Sequence, residues 1–514
     1  LNPGVSFDVL ITGGEVLDGT GAPPYRADVA IVDDKIAVLG GLPGAWAPTV
    51  IDATGRLVTP GFVDCHAHGD AAVFDPAVQL AALRQGVTTF VLGQDGLSFA
   101  PGSAATVAYA SRYFAAVNGA LTAEGPLTVA ELLAGYDRAV ALNTAYLLPH
   151  GTIRYDVMGP SPERAGRDDL AAMLRHVERG LSEGAVGLSS GLEYLPGRYA
   201  DAEELAALCA PLGELPYVTH MRAYGERAGE GMAEVLEIAR RSGARVHVSH
   251  LHGPAGVLLP LVEGALGEGV DLTFDTYPYQ RGNTILAMVA LPPSVPGAEP
   301  ETAMKMIASD ELDDWWPTLG EVWPRLTISH APGLEWAEGL SLEAAAERAG
   351  SAPAAFCRRL LVETRLEAGV VIARPDEGPQ GDDSVRQMLR HPAHTGGSDG
   401  IYVGGHPHPR GFGAFARYLG RHVRELGDWT WANASLHLAA RPARRFGLGD
   451  RGLIRRGYAA DVVVLDPGKV GDRATYAAPR TLAEGVGDVL VAGVPVLAGG
   501  ELTGATPGRA LRAS

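Results

Sequence analysis

His66 and His68 stand one residue apart at the end of the apolar run VTPGFVDCHAHG. Side chains two apart on a strand point to the same face, so both imidazoles can reach one ion. An isolated H-x-H is a weak signal, but it has company. His220 in PYVTHMR and His250 in VHVSHLH each end a β-branched run, 30 residues apart. That spacing is one β/α unit, which puts them at matched heights on adjacent strands. Asp95 in VLGQDG and Asp399 in GGSDG end two further runs. Four histidines and two carboxylates on one face can hold one or two divalent ions. Such ligands suit Zn2+ best, with Mn2+, Fe2+ or Co2+ as alternatives. A bound divalent ion lowers the pKa of water to about 7, supplying hydroxide at neutral pH. A neighbouring carboxylate can take the proton and pass it to a leaving nitrogen. That set of groups implies metal-assisted hydrolysis of an amide.

The elements that must position these residues read as β/α units. Between about 58 and 445, eight short apolar runs alternate with helix-period stretches. The runs are VTPGFVDCHAHG, GVTTFVLGQD, NTAYLLPHG, GAVGLSSGL, LPYVTHM, ARVHVSH, VDLTFDTYPY and HTGGSDG. Amphipathic stretches such as DDLAAMLRHVERGLSEG and GMAEVLEIARRSG lie between several of them. Eight such units predict an α/β fold of the (β/α)8 TIM-barrel type. A doubly wound sheet is the alternative, but no G-x-G-x-x-G follows the first run. Residues 1–57 and 446–514 have a different texture, of short strands broken at Gly and Asp. The two ends are expected to form one composite β-sandwich. The stretch from about 285 to 390 is too long for one crossover and holds Trp315, Trp316, Trp323 and Trp336. It predicts a helical insertion, either a lid over the site or an elaboration packed on the barrel.

Composition narrows the function classes. The 514 residues are 46% hydrophobic and 20% charged, with a net charge of −18. That balance suits a globular protein and argues against nucleic acid or an anionic membrane as partner. No transmembrane run or signal peptide is recognisable, so a cytoplasmic location is expected. Cys65, Cys209 and Cys357 are too few and too scattered for a disulfide framework. Alternation sends Cys65 to the face opposite His66, into the helix layer, as a structural residue. It likewise turns His247, three residues before His250, away from the ion. His150, at the end of the third run, and His408, in HPHPR, are candidates for polarising a carbonyl or lining a pocket. His330 has no evident role. Nothing in the sequence sets the oligomeric state.

The motifs GVTTFVLGQDG, NTAYLLPHGTIR, GAVGLSSGLEYLPG, VTHMRAYGE, VSHLHG, FDTYPY, GGSDGIYVGGHPHPRGFGAFARYLG and DRGLIRRGYAADVVVLDP span nearly the whole chain. Together they resemble the amidohydrolase superfamily, and within it the N-acyl-D-amino-acid deacylases, or D-aminoacylases. The resemblance implies that His220 and His250 hold the tighter metal. It implies that His66, His68 and Asp399 form a second position, with Asp399 as general acid/base. Many superfamily members bridge two metals with a carboxylated lysine. This chain has only Lys35, Lys305 and Lys469, none on a predicted barrel strand. The deacylases instead use a cysteine in an Asn-Cys-Gly turn, which here reads Gln94-Asp95-Gly96. Asp95 is the expected replacement, with Glu193 in GLEYLPG as the rival bridge.

By the same resemblance, Arg410 of Pro-His-Pro-Arg and Tyr277 would bind a small-molecule amide through its α-carboxylate. A bidentate Arg is the natural partner of a carboxylate, though a salt bridge under a loop is the other reading of Arg410. Two positions depart from the family. Its Ser-His-Leu-Lys becomes Ser249-His250-Leu251-His252, and its Gly-Ser-Thr turn becomes Gly282-Asn283-Thr284. A pocket with fewer fixed cations would also suit a cyclic amide or imide, hydantoin- or dihydroorotate-like, or a specialised natural-product amide. A metal-binding scaffold without catalysis is the remaining alternative.

Overall fold

The computed structural model describes residues 6–121 and 125–513. Eight parallel strands carry the site. In chain order they are Phe62–Asp64, Val87–Leu92, Asn143–Tyr146 with its continuation Leu148–Pro149, Leu188–Gly191, Pro216–His220, Arg245–Val248, Leu272–Asp275 and His394–Thr395. Each pairs in parallel with its neighbours in that order, from Phe62–Asp64 with Val87–Leu92 through Leu272–Asp275 with His394–Thr395. The third strand breaks at Leu147, whose N–H donates to Leu92 O while that of Leu148 donates to Gly187 O. The last strand returns to the first. Cys65 N–H donates to Gly396 O, Asp399 N–H donates to His66 O, and Gly400–Ile401 pairs in parallel with Ala67–His68.

The two faces of these strands pack into separate cores. Phe62, Phe90, Tyr146, Leu188, Tyr217, Val246 and Phe274 pack with the surrounding helices. Val63, Val91, Ala145, Leu147, Val186 and Val218 form a second cluster, closed below by Phe446 and Leu448. The helices are built in the ordinary way: Arg167–Ser182 turns Met173 and Val177 inward, and Asp201 caps Ala202–Cys209 through Glu203 N–H and Glu204 N–H.

Both chain ends meet in one seven-stranded sheet, in which Leu57–Pro60 lies between Val462–Leu465 and Glu15–Val16. A four-stranded sheet from residues 9–52 faces it. Val9, Ile11, Val29 and Ile31 of the smaller sheet share a core with Val58, Val462, Val464 and Leu490 of the larger. Leu57–Pro60 extends the flanking β-rich region slightly past the expected limit at residue 57.

The insertion departs from the expected helical form. It contains a three-stranded antiparallel sheet of Arg281–Ile285, Gly369–Ala373 and Leu326–His330. Helices Leu342–Arg348 and Pro353–Glu363 pack on it over a core of their own, which includes Trp316, Trp323 and Phe356. Pairing 281–285 with 369–373 is too long-range for local periodicity to reveal. Helix Pro379–Arg390, expected within the insertion, instead contributes Val385, Met388 and Leu389 to the core around the parallel strands. Among the described residues no helix is long and apolar enough to cross a membrane.

Candidate metal centre

The C-terminal ends of the parallel strands bring six of the expected residues together. Asp95 lies at their centre. Its Oδ1 is 3.6 Å from His66 Nε2, and its Oδ2 is 3.6 Å from His68 Nε2, 3.4 Å from His220 Nδ1 and 3.7 Å from His250 Nε2. Asp399 Oδ1 is 3.6 Å from His66 Nε2 and 3.3 Å from His68 Nε2. One ligand atom each from His66, Asp95 and His250 lies within 4.8 Å of the others, and the same holds for His66, His68 and Asp399. Among the described cluster residues Glu193 pairs with His220, at 2.8 Å from Nε2, and its side chain is 39% exposed. Its place is at the rim, not between the two groups.

The backbone is bent to achieve this. Asp95, His250 and Asp399 have positive φ, at 55°, 34° and 50°. Positive φ in residues with a Cβ costs energy and concentrates at functional sites. At Asp95 the turn is held by Gly93 and Gly96, where an added Cβ would fall 2.2 Å from Leu147 O and 2.6 Å from Gly191 N. Gln94 anchors the same turn by donating to Cys65 O and Val91 O. His68 Nδ1 is fixed against Asn118 Oδ1 at 2.9 Å, which leaves its Nε2 turned to the carboxylates.

The residues fit a cation. His66 Nε2, Asp95 Oδ1, His220 Nδ1 and His250 Nδ1 are buried without a hydrogen-bond partner among the described residues. Such atoms carry a desolvation cost unless something satisfies them. Burial opposes charge on His68, yet Asp399 and Asp95 push its pKa up to about 10. Burial likewise opposes charge on His220, and Asp95 with Glu193 raises it to about 10. Burial pushes the Asp95 carboxyl up, but His220, His250 and His66 hold it well below the usual carboxylate range. Asp399 is lowered against its burial by Arg410 and the histidines. The cluster therefore attracts positive charge, and its imidazole and carboxylate donors match the preferences of Zn2+.

Several expectations need correction. Cys65 does not enter the helix layer. It packs with Val63, Val91 and Val218, and its Sγ lies 3.2 Å from Thr395 Oγ1 and 3.8 Å from His247 Nε2. Alternation fails there because the strand ends at Asp64 and the chain bends before Ala67. His247 is also closer to the cluster than expected. It is 3.0 Å from Asp275 Oδ2, which is 3.3 Å from His66 Nδ1. Asp275 was not singled out from the sequence. Fully buried at the end of its strand, it also accepts His250 N–H through Oδ1 at 2.9 Å. Its position at the end of LTFD was the available signal.

The proposed substrate contacts divide. A cavity of about 600 Å3 opens over the cluster and is lined by His68, Asp95, Glu193, His220, His250 and Asp399, with Tyr277, His252 and Asn283 farther out. His252 Nδ1 is 2.7 Å from His250 O, and its ring stacks on Tyr224. Asn283 Nδ2 is buried without a partner among the described residues. Arg410 does not line the cavity; it is fully buried and its Nη2 is 2.8 Å from Asp399 Oδ2. His150 does not line it either: its Nε2 is 2.7 Å from Glu204 Oε1, and Arg154 pairs with the same carboxylate. His408 is similarly withdrawn, accepting Arg410 N–H through Nδ1. The salt bridge offered as the other reading of Arg410 is present, whereas sequence reasoning missed the partner of His150, because Glu204 is 54 residues away.

Known proteins share this arrangement of the whole chain. The amidohydrolase family matches residues 49–497. An N-acyl-D-glutamate deacylase of Alcaligenes xylosoxydans xylosoxydans is 35% identical, over 95% of this chain and 93% of that protein. A D-aminoacylase of the same organism is 33% identical, over 98% and 97%. The N-acyl-D-glutamate deacylase of Bordetella bronchiseptica was solved with zinc and a phosphonate inhibitor that mimics the tetrahedral intermediate of the reaction. It superposes with a TM-score of 0.84 at 32% identity, covering 99% of this chain and 100% of that one. With the match running through nearly every strand that carries the cluster, this chain belongs to the amidohydrolase family.

Proposed function

We propose that the protein is a zinc-dependent deacylase of N-acyl-D-amino acids. The observation that carries the reading is the pair of overlapping histidine–carboxylate groups, with unpartnered buried atoms, at the floor of the cavity. The names of the relatives supply the substrate class. We also take the eight parallel strands, about 58–445, as one (β/α)8 barrel, which the hydrogen bonds from last strand to first support. The two ends make its β-sandwich.

His220, His250 and Asp95 would hold the principal metal, with His66, His68 and Asp399 able to hold or poise a second. Zn2+ bound there would supply Lewis acidity, able to polarise the amide carbonyl and lower the pKa of water to about 7. Asp95 serves as the shared carboxylate, because it alone reaches all four histidines. Asp399 takes the proton from the attacking water and delivers it to the leaving nitrogen. Arg410 holds Asp399 ionised and aimed at that work. Asp275 orients His66 and fixes the His250 backbone, as a carboxylate behind a ligating histidine does. Tyr277, His252 and Asn283 line the space for the amino-acid half.

Acetate release from matched N-acetyl-D- and N-acetyl-L-amino acids, with zinc-loaded protein, tests this reading. Turnover confined to the D series is expected. The alternative, opening of a cyclic amide, draws on the lysine replaced by His252. It predicts ring opening across a hydantoin and dihydroorotate panel with no deacylation.

A further inference from the structure

Four arginines line the cavity above the cluster: Arg222, Arg227, Arg325 and Arg374. Two are already neutralised. Arg222 Nη2 is 3.0 Å from Glu234 Oε1, and Arg227 Nη2 is 2.6 Å from Glu230 Oε2. Arg325 spends its Nε on Ala373 O at 2.8 Å. Arg374 differs from all three. Its Nε and Nη2 are closed off from solvent with no hydrogen-bond partner among the described residues. Its guanidinium lies 5.1 Å from the centre of the Tyr277 ring.

The backbone at Arg374 is held in place. The residue follows Gly369–Ala373, the central strand of the insertion sheet, and its N–H donates to Gln280 O. Arg410 approaches the same Tyr277 ring, at 4.5 Å, but it is fully buried and committed to Asp399. Tyr277 is thus approached by a cation paired with Asp399 and by a cation that has no anion among the described residues. A half-buried guanidinium with two nitrogens closed off and no counter-ion among the described residues is left underused, and its planar fork matches a carboxylate.

We propose that Arg374, supplied by the insertion, binds the substrate's free α-carboxylate. It leaves Arg410 to serve Asp399. This inference rests on the amide-hydrolase reading above. Under it, the strand ends perform the chemistry and the insertion selects acidic substrates.

The test compares N-acetyl-D-leucine with N-acetyl-D-leucinamide, which lacks the carboxylate, in wild-type, Arg374→Gln and Arg374→Lys proteins of equal zinc content. In wild type, kcat/KM for the acid should exceed that for the carboxamide at least 30-fold. Arg374→Gln should lower the acid value at least 30-fold and leave the carboxamide within threefold; Arg374→Lys should recover part of the loss. An equal effect on both substrates, or on neither, overturns the inference while the deacylase reading stands. If wild type hydrolyses neither compound, the deacylase reading fails, and calorimetric binding of the same two compounds decides the inference separately. A wild-type preference for the acid that Arg374→Gln abolishes supports it, and the lack of such a preference overturns it.

Discussion

Two clusters of histidine and acidic side chains lie one layer apart between the same strands, and they are finished differently. In the lower one every polar group has a protein partner. His247 is 2.8 Å from Thr273 Oγ1 and 3.0 Å from Asp275 Oδ2, and Cys65 Sγ is 3.2 Å from Thr395 Oγ1. In the upper one His66 Nε2, Asp95 Oδ1, His220 Nδ1 and His250 Nδ1 have none. Both contain potential metal ligands. Only the upper cluster faces a cavity, and only there is the hydrogen bonding left incomplete. Residue type and burial therefore do not distinguish a site from a core. Between these two clusters the difference lies in unsatisfied buried atoms that stand at a cavity, whose desolvation cost is offset when an ion or substrate arrives.

The strongest way to break this contrast is Asp399→Asn. General acid–base catalysis is worth roughly 10² to 10⁴ in rate, so turnover should fall by about that factor while zinc content stays constant. Wild-type turnover in this variant would remove Asp399 from the chemistry. Ligand loss in the upper cluster comes next. Chelation, or Asp95→Ala, should lower zinc content together with the thermal midpoint, since a ligand at about 100 times its Kd adds about 2.7 kcal/mol to folding. An unchanged melting curve after chelation would mean that the upper cluster is not the binding site.

Asp275 joins the layers, so its substitution sharpens the contrast. Asp275→Asn should cost about 10- to 100-fold in zinc affinity or activity, the usual effect of losing a carboxylate behind a metal-bound histidine. Burial raises the Asp275 pKa, but His66 and His247 hold it well below the usual carboxylate range, so the wild-type group stays ionised throughout the assay range. The smallest effect is expected at Cys65. Cys65→Ala should leave zinc content unchanged and destabilise the fold by about 1 kcal/mol, as a modest core truncation does. Loss of zinc on that change would mean that the lower cluster also holds an ion.

Much of this was legible in local pattern. His66, His68, Asp95, His220, His250 and Asp399 each stand at the end of an apolar run, and parallel strands bring such ends to one face. The same rule over-reached at His150, which stands at a strand end but meets Glu204 behind the site. It under-reached at Asp275, whose position is equivalent but whose role depends on two histidines from other strands. Alternation misplaced Cys65 because it assumes an unbroken strand, and the strand stops at Asp64. The insertion sheet was hidden because its strands pair across about 40 to 90 residues, and periodicity reports only local order.

By itself, the sequence determined which residue types stand at the strand ends, how many β/α units precede the last, and that no lysine is available as a bridge. These follow from spacing, composition and backbone periodicity, which are local properties. Tertiary structure alone decided which polar groups are already satisfied. Arg410 and Arg374 are the same residue type and each has two unpartnered guanidinium nitrogens among the described residues, yet only Arg410 is paired with Asp399 and only Arg374 lines the cavity. That difference is set by which side chains the fold brings within about 3 Å, and hydrogen bonding at that distance cannot be read from spacing along the chain.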